Sequence, residues 1–247
     1  MPRITPLRLV AACALVTVLS LSIVASAAAK GLSADLRVVV AGGKVLAEKE
    51  VGARTTSVQT SAKAECFGKG SGGSGNSVSI RGNTGMGLLA RASKSTRSLR
   101  PLLISDAFDF GLALCGVGGE VASGEGSWYL KINHKALAVG GDQAKFKRGD
   151  DVLWALVPSF PYPDELALVA PQRVRAGKAF TVRVFAYDEK GKRTPVEGAK
   201  VNGAKQRTGA DGRTTVKLGK PRRLIARHGK DIPSARVAVC VGNKCVR

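Results

Sequence analysis

Apolar and polar residues alternate along most of this chain in short runs, the spacing of half-buried strands. One segment instead carries the three-to-four-residue spacing of an amphipathic helix. Leu36 to Val40 (LRVVV) and Lys44 to Val51 (KVLAEKEV) flank Gly42-Gly43 and predict a hairpin. A polar, small-residue stretch follows from Gly52 to Ser79. Asn83-Thr84 then predict the cap of a helix running to Lys94, with Met86, Leu89, Ala90 and Ser93 on one face. Ala107 to Cys115, Trp128 to Ile132 and Val152 to Val157 alternate as strands. One helix among several strands predicts an α+β region.

Three prolines between Pro158 and Pro163 stiffen the backbone and remove hydrogen-bond donors, which predicts a linker over residues 159–163. Beyond it, strand-like runs recur at 166–170, 180–187, 199–201, 214–218, 224–227 and 235–241, separated by turns such as Asp188 to Gly191 and Gly209 to Gly212. About seven short strands in roughly 85 residues with no intervening helix predict an immunoglobulin-like β-sandwich over 164–247. The fold class expected is therefore mainly β, with an α+β region over 30–158 and a sandwich after it.

Residues 1–29 contain Arg3 and Arg8, an apolar run and then Ala27-Ala28-Ala29, the pattern of a secretory signal peptide cleaved near those alanines. The expected location is secreted or extracellular, with association to the cell envelope. Cys13 precedes most of the apolar run, which argues against a lipid anchor there. The remaining cysteines are Cys66, Cys115, Cys240 and Cys245, an even number in an oxidising compartment. A two-residue turn at Gly242-Asn243 would set Cys240 opposite Cys245 at disulfide distance. That leaves Cys66 with Cys115, a closure of about 50 residues that stabilises by about 4 kcal/mol on the loop-entropy model.

Charge adds a preference in partners. The formal net charge is +21, and residues 161–247 hold 20 Lys/Arg against 7 Asp/Glu, whereas residues 30–160 hold 17 against 11. Such a surplus concentrates polyanions around the C-terminal region. For an exported chain the expected partners are an anionic cell-wall polymer or a membrane surface, and nucleic acid is not expected.

Trp128, Ile132-Asn133-His134, Gly149-Asp150 and Val152 to Trp154 together resemble the β-grasp domain found at the carboxy terminus of transcobalamin and intrinsic factor and in secreted bacterial proteins. The resemblance covers residues 35–158 and implies a β-grasp-like N-terminal domain with a short helix near Thr84 to Arg91. His134 departs from it, because the family more often has glycine after the asparagine. In the vitamin carriers this domain closes over cobalamin together with a helical domain that this chain lacks, so cobalamin enters as a cofactor by resemblance only. Thr208, Ala210, Asp211, Gly212 and Arg213 are similar to the T-x-A-D-G-R turn of bacterial immunoglobulin-like repeats, which act as spacers or adhesive modules.

Catalytic chemistry finds little support. No G-x-S-x-G elbow occurs, and His134 and His228 neighbour no cysteine, so neither a nucleophile with its base nor a metal centre can be assembled. Paired carboxylates are offered by Asp106 with Asp109 and by Asp150 with Asp151; Asp150 reads better as a turn residue bonding its own backbone. The glycine run from Phe67 to Asn76 matches G-x-G-x-x-G twice, but has no strand before it and no helix directly after it, and reads as a flexible loop. Trp128, Tyr129 and Trp154 are the candidates for a stacking platform, with Asn133 and His134 beside them, and His134 is read as a hydrogen-bonding surface residue. A non-enzymatic binding or structural protein is expected, with a small-molecule carrier, for example of a corrinoid, and a polysaccharide-active enzyme as alternatives.

Overall fold

The LRVVV run that opens the pattern becomes a strand with both faces buried, and this decides the architecture. The computed structural model describes residues 31–124, 126–158 and 160–246, so the leader expected over residues 1–29 lies outside the described residues. The elements in chain order are β1 (Ser33–Val40), β2 (Lys44–Gly52), β3 (Thr56–Gln59), β4 (Ser77–Ile80), α1 (Gly85–Ser95), β5 (Leu102–Phe108), β6 (Gly111–Val117), β7 (Glu120–Val121), β8 (Ser127–Ile132), β9 (Lys135–Ala136) and β10 (Asp151–Val157). Then follow β11 (Glu165–Val169), β12 (Arg173–Val174), β13 (Ala179–Tyr187), β14 (Arg193–Pro195), β15 (Lys200–Val201), β16 (Arg213–Lys217), β17 (Arg222–Leu224), β18 (Ala226–Arg227) and β19 (Val237–Val241). The protein is mainly β.

Five strands form a mixed sheet in the order β2-β1-β10-β8-β9, with β1 parallel to β10 and the other pairs antiparallel. Helix α1 lies on one face of it. Thr84 caps this helix by accepting from the Gly87 amide at 3.1 Å, as its residue type predicts. Met86, Leu88, Leu89, Ala90 and Ala92 share a core with Leu36 and Val38 of β1, Leu130 and Ile132 of β8, and Val152 and Trp154 of β10. The polar stretch after β2 holds the short hairpin β3-β4, and the single strand expected over 107–115 is divided, because Phe108 and Gly111 close a turn between β5 and β6. Val58 and Val78, paired across the hairpin, are among the few apolar residues of that polar stretch. Only these weak signals mark its strands.

After Glu165, β13 pairs with β11 on one side and with β14 and β16 on the other, while β19 pairs with β12 and β17. Leu166, Leu168, Val182, Val184, Val216, Leu224 and Val239 from both sheets fill one core, the arrangement of a sandwich. The run expected over 224–227 is broken between Leu224 and Ala226, each of which pairs with a different strand. The T-x-A-D-G-R segment is a tight turn, with the buried Thr208 hydroxyl donating to Val196 O at 2.6 Å. Disulfides join Cys66 to Cys115 and Cys240 to Cys245, and Val241 bridges Lys244 across the expected Gly242-Asn243 turn.

A third apolar cluster lies on the sheet face opposite α1, where Val39, Leu153, Ala155 and Val157 meet Ile232 of the C-terminal half. Residues 31–247 thus make one compact unit with two main cores and a shared seam.

One substitution separates packing from propensity. Alanine is favoured over glycine inside a helix by about 1 kcal/mol, yet a Cβ on Gly87 would stand 1.9 Å from the Arg81 carbonyl oxygen. Gly87→Ala is expected to lower the Tm, with a loss of about 1–3 kcal/mol measured in urea; a stabilised variant would contradict this packing.

Candidate functional site

An apolar cleft opens beside β8 and β10 of the five-stranded sheet, and three loops build it. Cys66, tied to Cys115 on β6, presents Phe67; the turn between β5 and β6 presents Phe110; and residues 137–141 present Leu137 and Val139. The cleft encloses about 240 Å³, and Trp128 and Trp154 form part of its wall. Its rim is exposed: Phe67 at 63%, Phe110 at 55% and Val139 at 51%. Phe108 stacks on Phe110 with centroids 4.8 Å apart, and Phe67 meets Phe108 edge-on at 5.2 Å. Such a cluster of exposed aromatic and aliphatic side chains is what a ligand or partner site presents to water.

Hydrogen bonds hold the loops in place. Gln143 Nε2 donates to Phe110 O at 2.7 Å, and the Leu112 amide to Asp142 Oδ2 at 3.3 Å. The amides of Gly85 and Met86, orphaned at the start of α1, donate to Ala144 O and Gly141 O, so the helix terminus anchors the 137–144 loop. Trp154 Nε1 donates to Gly85 O at 3.1 Å, which sets its indole as the floor rather than an exposed platform. Trp128 is half-buried, with Nε1 on Cys115 O at 3.2 Å. The two tryptophans thus border the same cleft.

Of the other expected site residues, Tyr129 also lines the cleft, at the end where it meets the seam, whereas Asn133 and His134 lie elsewhere. The Tyr129 ring lies 4.7 Å from that of Tyr162, and burial is the main cause that pushes its phenol well above its ordinary pKa. Asn133 closes a two-residue hairpin between β8 and β9, donating to Asp150 Oδ1 and accepting from the Asp151 amide. It has φ 49° and His134 has φ 68°, the two positive angles of a type I′ turn, in which glycine is preferred at the second position. His134 holds that second position with the turn intact despite carrying a Cβ. His134, expected at the surface, is partly buried. Its ring stacks on Tyr187 with centroids 4.0 Å apart, and Nδ1 lies 3.1 Å from Glu165 Oε1.

Glu165 is the centre of this seam. Its side chain is 1% exposed and forms an ion pair with Arg37, which also donates to Pro233 O. Lys131 Nζ lies 3.7 Å from Oε2 and donates to Tyr187 O at 3.0 Å and Asp188 O at 2.9 Å. Arg37, Leu153 and Lys131 stand side by side on β1, β10 and β8, so the register itself aims both cations at one carboxylate. Burial pushes the Glu165 pKa up, but His134, Arg37 and Lys131 outweigh it and hold the group below its ordinary value. Asp151 is raised, by burial first and then by Glu165, against the pull of Arg37. His134, Asp151 and Glu165 each bring a possible donor atom to within 4.8 Å of the others. With two cations already on the carboxylate, however, the group is an ion-pair cluster.

Of the candidate carboxylates, Asp106 and Asp150 are engaged in holding turns. Asp106 accepts from the Ser74 amide and hydroxyl, both at 2.6 Å, which lowers its pKa, and Asp150 accepts from the Lys147 amide in its own turn. The glycine run is packed rather than loose: Gly70 N donates to Glu65 Oε1, Gly73 N to Ser61 O, and a Cβ on Gly72 would fall 2.2 Å from Ala62 O. These amides are spent on the protein's own acceptors. What sequence reasoning missed was Phe67, Phe110, Leu137 and Val139, whose signal is large apolar residues inside turn-rich segments, and the partnership of Arg37, Lys131 and Glu165.

The fold is mainly β, and the site is an apolar, aromatic-rimmed cleft. No family model matches the chain, and no curated protein does. Among solved structures, the crystal structure of haptocorrin in complex with Cbi is similar at a TM-score of 0.35 and 11% identity, over 52% of this chain and 26% of that one.

Replacing Glu165 by glutamine leaves Arg37 and Lys131 buried without their counter-charge, an expected loss of about 3–5 kcal/mol in denaturant unfolding. The triple change Arg37→Met, Lys131→Met, Glu165→Leu is expected to recover most of it. Because the Glu165 pKa falls on folding, its contribution is fully present above its ordinary value near 4.5 and is lost as pH falls through the lower folded value. The triple variant should lack that part of the acid-side slope.

Proposed function

We propose that this is an exported, non-enzymatic binding protein whose N-terminal cleft receives an apolar group and whose basic C-terminal module holds it at an anionic envelope surface. The observation that carries the binding role is the cleft itself: Phe67, Phe110 and Val139 are kept exposed by loops that a disulfide and the start of α1 fix in place. A loop merely connecting strands has no need of three exposed apolar side chains converging on a tryptophan-walled hollow. The two disulfides and the leader-like first segment support export. No helix among the described residues is long and apolar enough to cross a membrane.

Volume narrows the ligand. At about 240 Å³ the cleft falls below the roughly 300–1,000 Å³ of sites that enclose drug-sized molecules, and it suits a single ring or an apolar side chain presented by a partner. A corrinoid would have to lie across the rim.

Nile red, a neutral apolar dye, is expected to bind the wild-type protein, and Phe110→Ser and Val139→Ser each to weaken it at least about tenfold. Both residues are exposed, so Tm should move by no more than about 2 °C. Equal binding by the variants would remove the cleft reading. Cobalamin at millimolar concentration is expected to leave Tm unchanged, and a rise would favour the carrier alternative.

A further inference from the structure

The sandwich carries a second surface feature, on the outer face of the sheet built on β13. Val182, Val184 and Ala186 point into the core, so Thr181, Arg183, Phe185 and Tyr187 point out. On the strands beside them, Arg193 is level with Tyr187, Arg213 with Arg183 and Lys217 with Ala179. Four-residue steps along a strand are about 13 Å, so Arg193, Arg213 and Lys217 mark a straight line of about 27 Å. Phe185 sits on this face yet is buried, because the guanidiniums of Arg183 and Arg193 lie over its ring at 4.6 and 4.3 Å. Arg183 Nε also donates to Asp211 O at 2.8 Å, which fixes that guanidinium in place. Along the line, away from the buried Glu165 at the seam, Asp211 lies 3.6 Å from Arg213 Nε, and both side chains are more than half exposed. Such a pair is weak in water and easily exchanged for another anion.

We infer that this line is the docking track for a linear, non-aromatic phosphodiester polymer, the chemistry of a polyol-phosphate chain. This rests on the reading that the basic module meets an envelope polyanion, and it names the face and the chemistry. A straight row of cations fits an extended chain better than a compact anion. Arg193 and Arg213 on the line, with Arg183 beside them, favour phosphate, because the guanidinium fork grips two oxygens at once and is weakly hydrated, as a phosphodiester is. Nucleic acid would want aromatic rings for its bases, and the Phe185 face is already roofed by guanidiniums. The track begins beside Tyr187, whose ring is covered by His134, so the seam fixes where the polymer path ends.

The test is binding of the full chain to immobilised poly(glycerol phosphate) across a salt series. The wild type is compared with Arg193→Gln/Arg213→Gln/Lys217→Gln and with a control of equal charge change on the other half, Lys63→Gln/Lys69→Gln/Arg91→Gln, all checked by thermal melts. The track variant is expected to bind at least about tenfold more weakly and to lower the slope of log K against log salt by about 2, at about 0.7 for each phosphate left unneutralised. The control is expected to change affinity less than about twofold. If the wild type does not bind at low salt, the tethering role itself falls. Binding by the wild type with equal losses in both variants would overturn the track alone. Tighter binding of an oligothymidylate would reassign the face to nucleic acid, and equal binding of polyglutamate would overturn the phosphodiester preference.

Discussion

A single buried carboxylate constrains this structure more than any other group. Glu165 opens the first strand of the C-terminal half, and both cations that meet it, Arg37 and Lys131, come from the central strands of the N-terminal sheet. Removing three charges from water costs several kcal/mol each unless they neutralise one another at close range. The chain can satisfy them only with the second face of that sheet packed onto β11 and β13. Other features follow. Leu153 and Ala155 of β10 lie buried on the face away from α1, Pro233 O is drawn onto Arg37, and the His134 ring is held between Tyr187 and Glu165.

Because the seam covers one face of the N-terminal sheet and α1 covers the other, binding surface is left at the ends and edges. The loops at one end form the apolar cleft. On the other half, the outer sheet face stays open where β13 runs past the seam, and there the cations collect. The two surfaces differ in kind: one is apolar and shaped by fixed loops, the other flat and cationic.

Much of the fold was legible in the residues. The alternation in β1, β2, β8, β10 and β13, the Asn83-Thr84 cap and the Gly242-Asn243 turn each rest on local physics, namely side-chain period, an accepting hydroxyl and a tight two-residue reversal, and each appears in the structure. Strands without such a period were not legible. β3, β4, β12 and β14 are short or polar and exist because a neighbour offers a free edge. Of the candidate site, Trp128 and Trp154 were found as aromatic residues on strands, but their role as wall and floor depends on Cys115 O and Gly85 O, distant in sequence. Asn133 and His134 were drawn into the site by their motif, and the structure gives them to the turn and the seam.

The sequence by itself determined what is set by nearest neighbours and by counting: a mainly β chain with one capped helix, two disulfides among four cysteines, and a cationic C-terminal half. The tertiary structure decided everything that requires charges and rings from separate segments to meet. Arg37, Lys131 and Glu165 become one cluster only when β1, β8 and β11 converge, and Phe67, Phe110 and Val139 become one cleft only when three loops do. A local pattern fixes which way a side chain points from its own strand. What it meets there is set by packing between elements far apart in the chain.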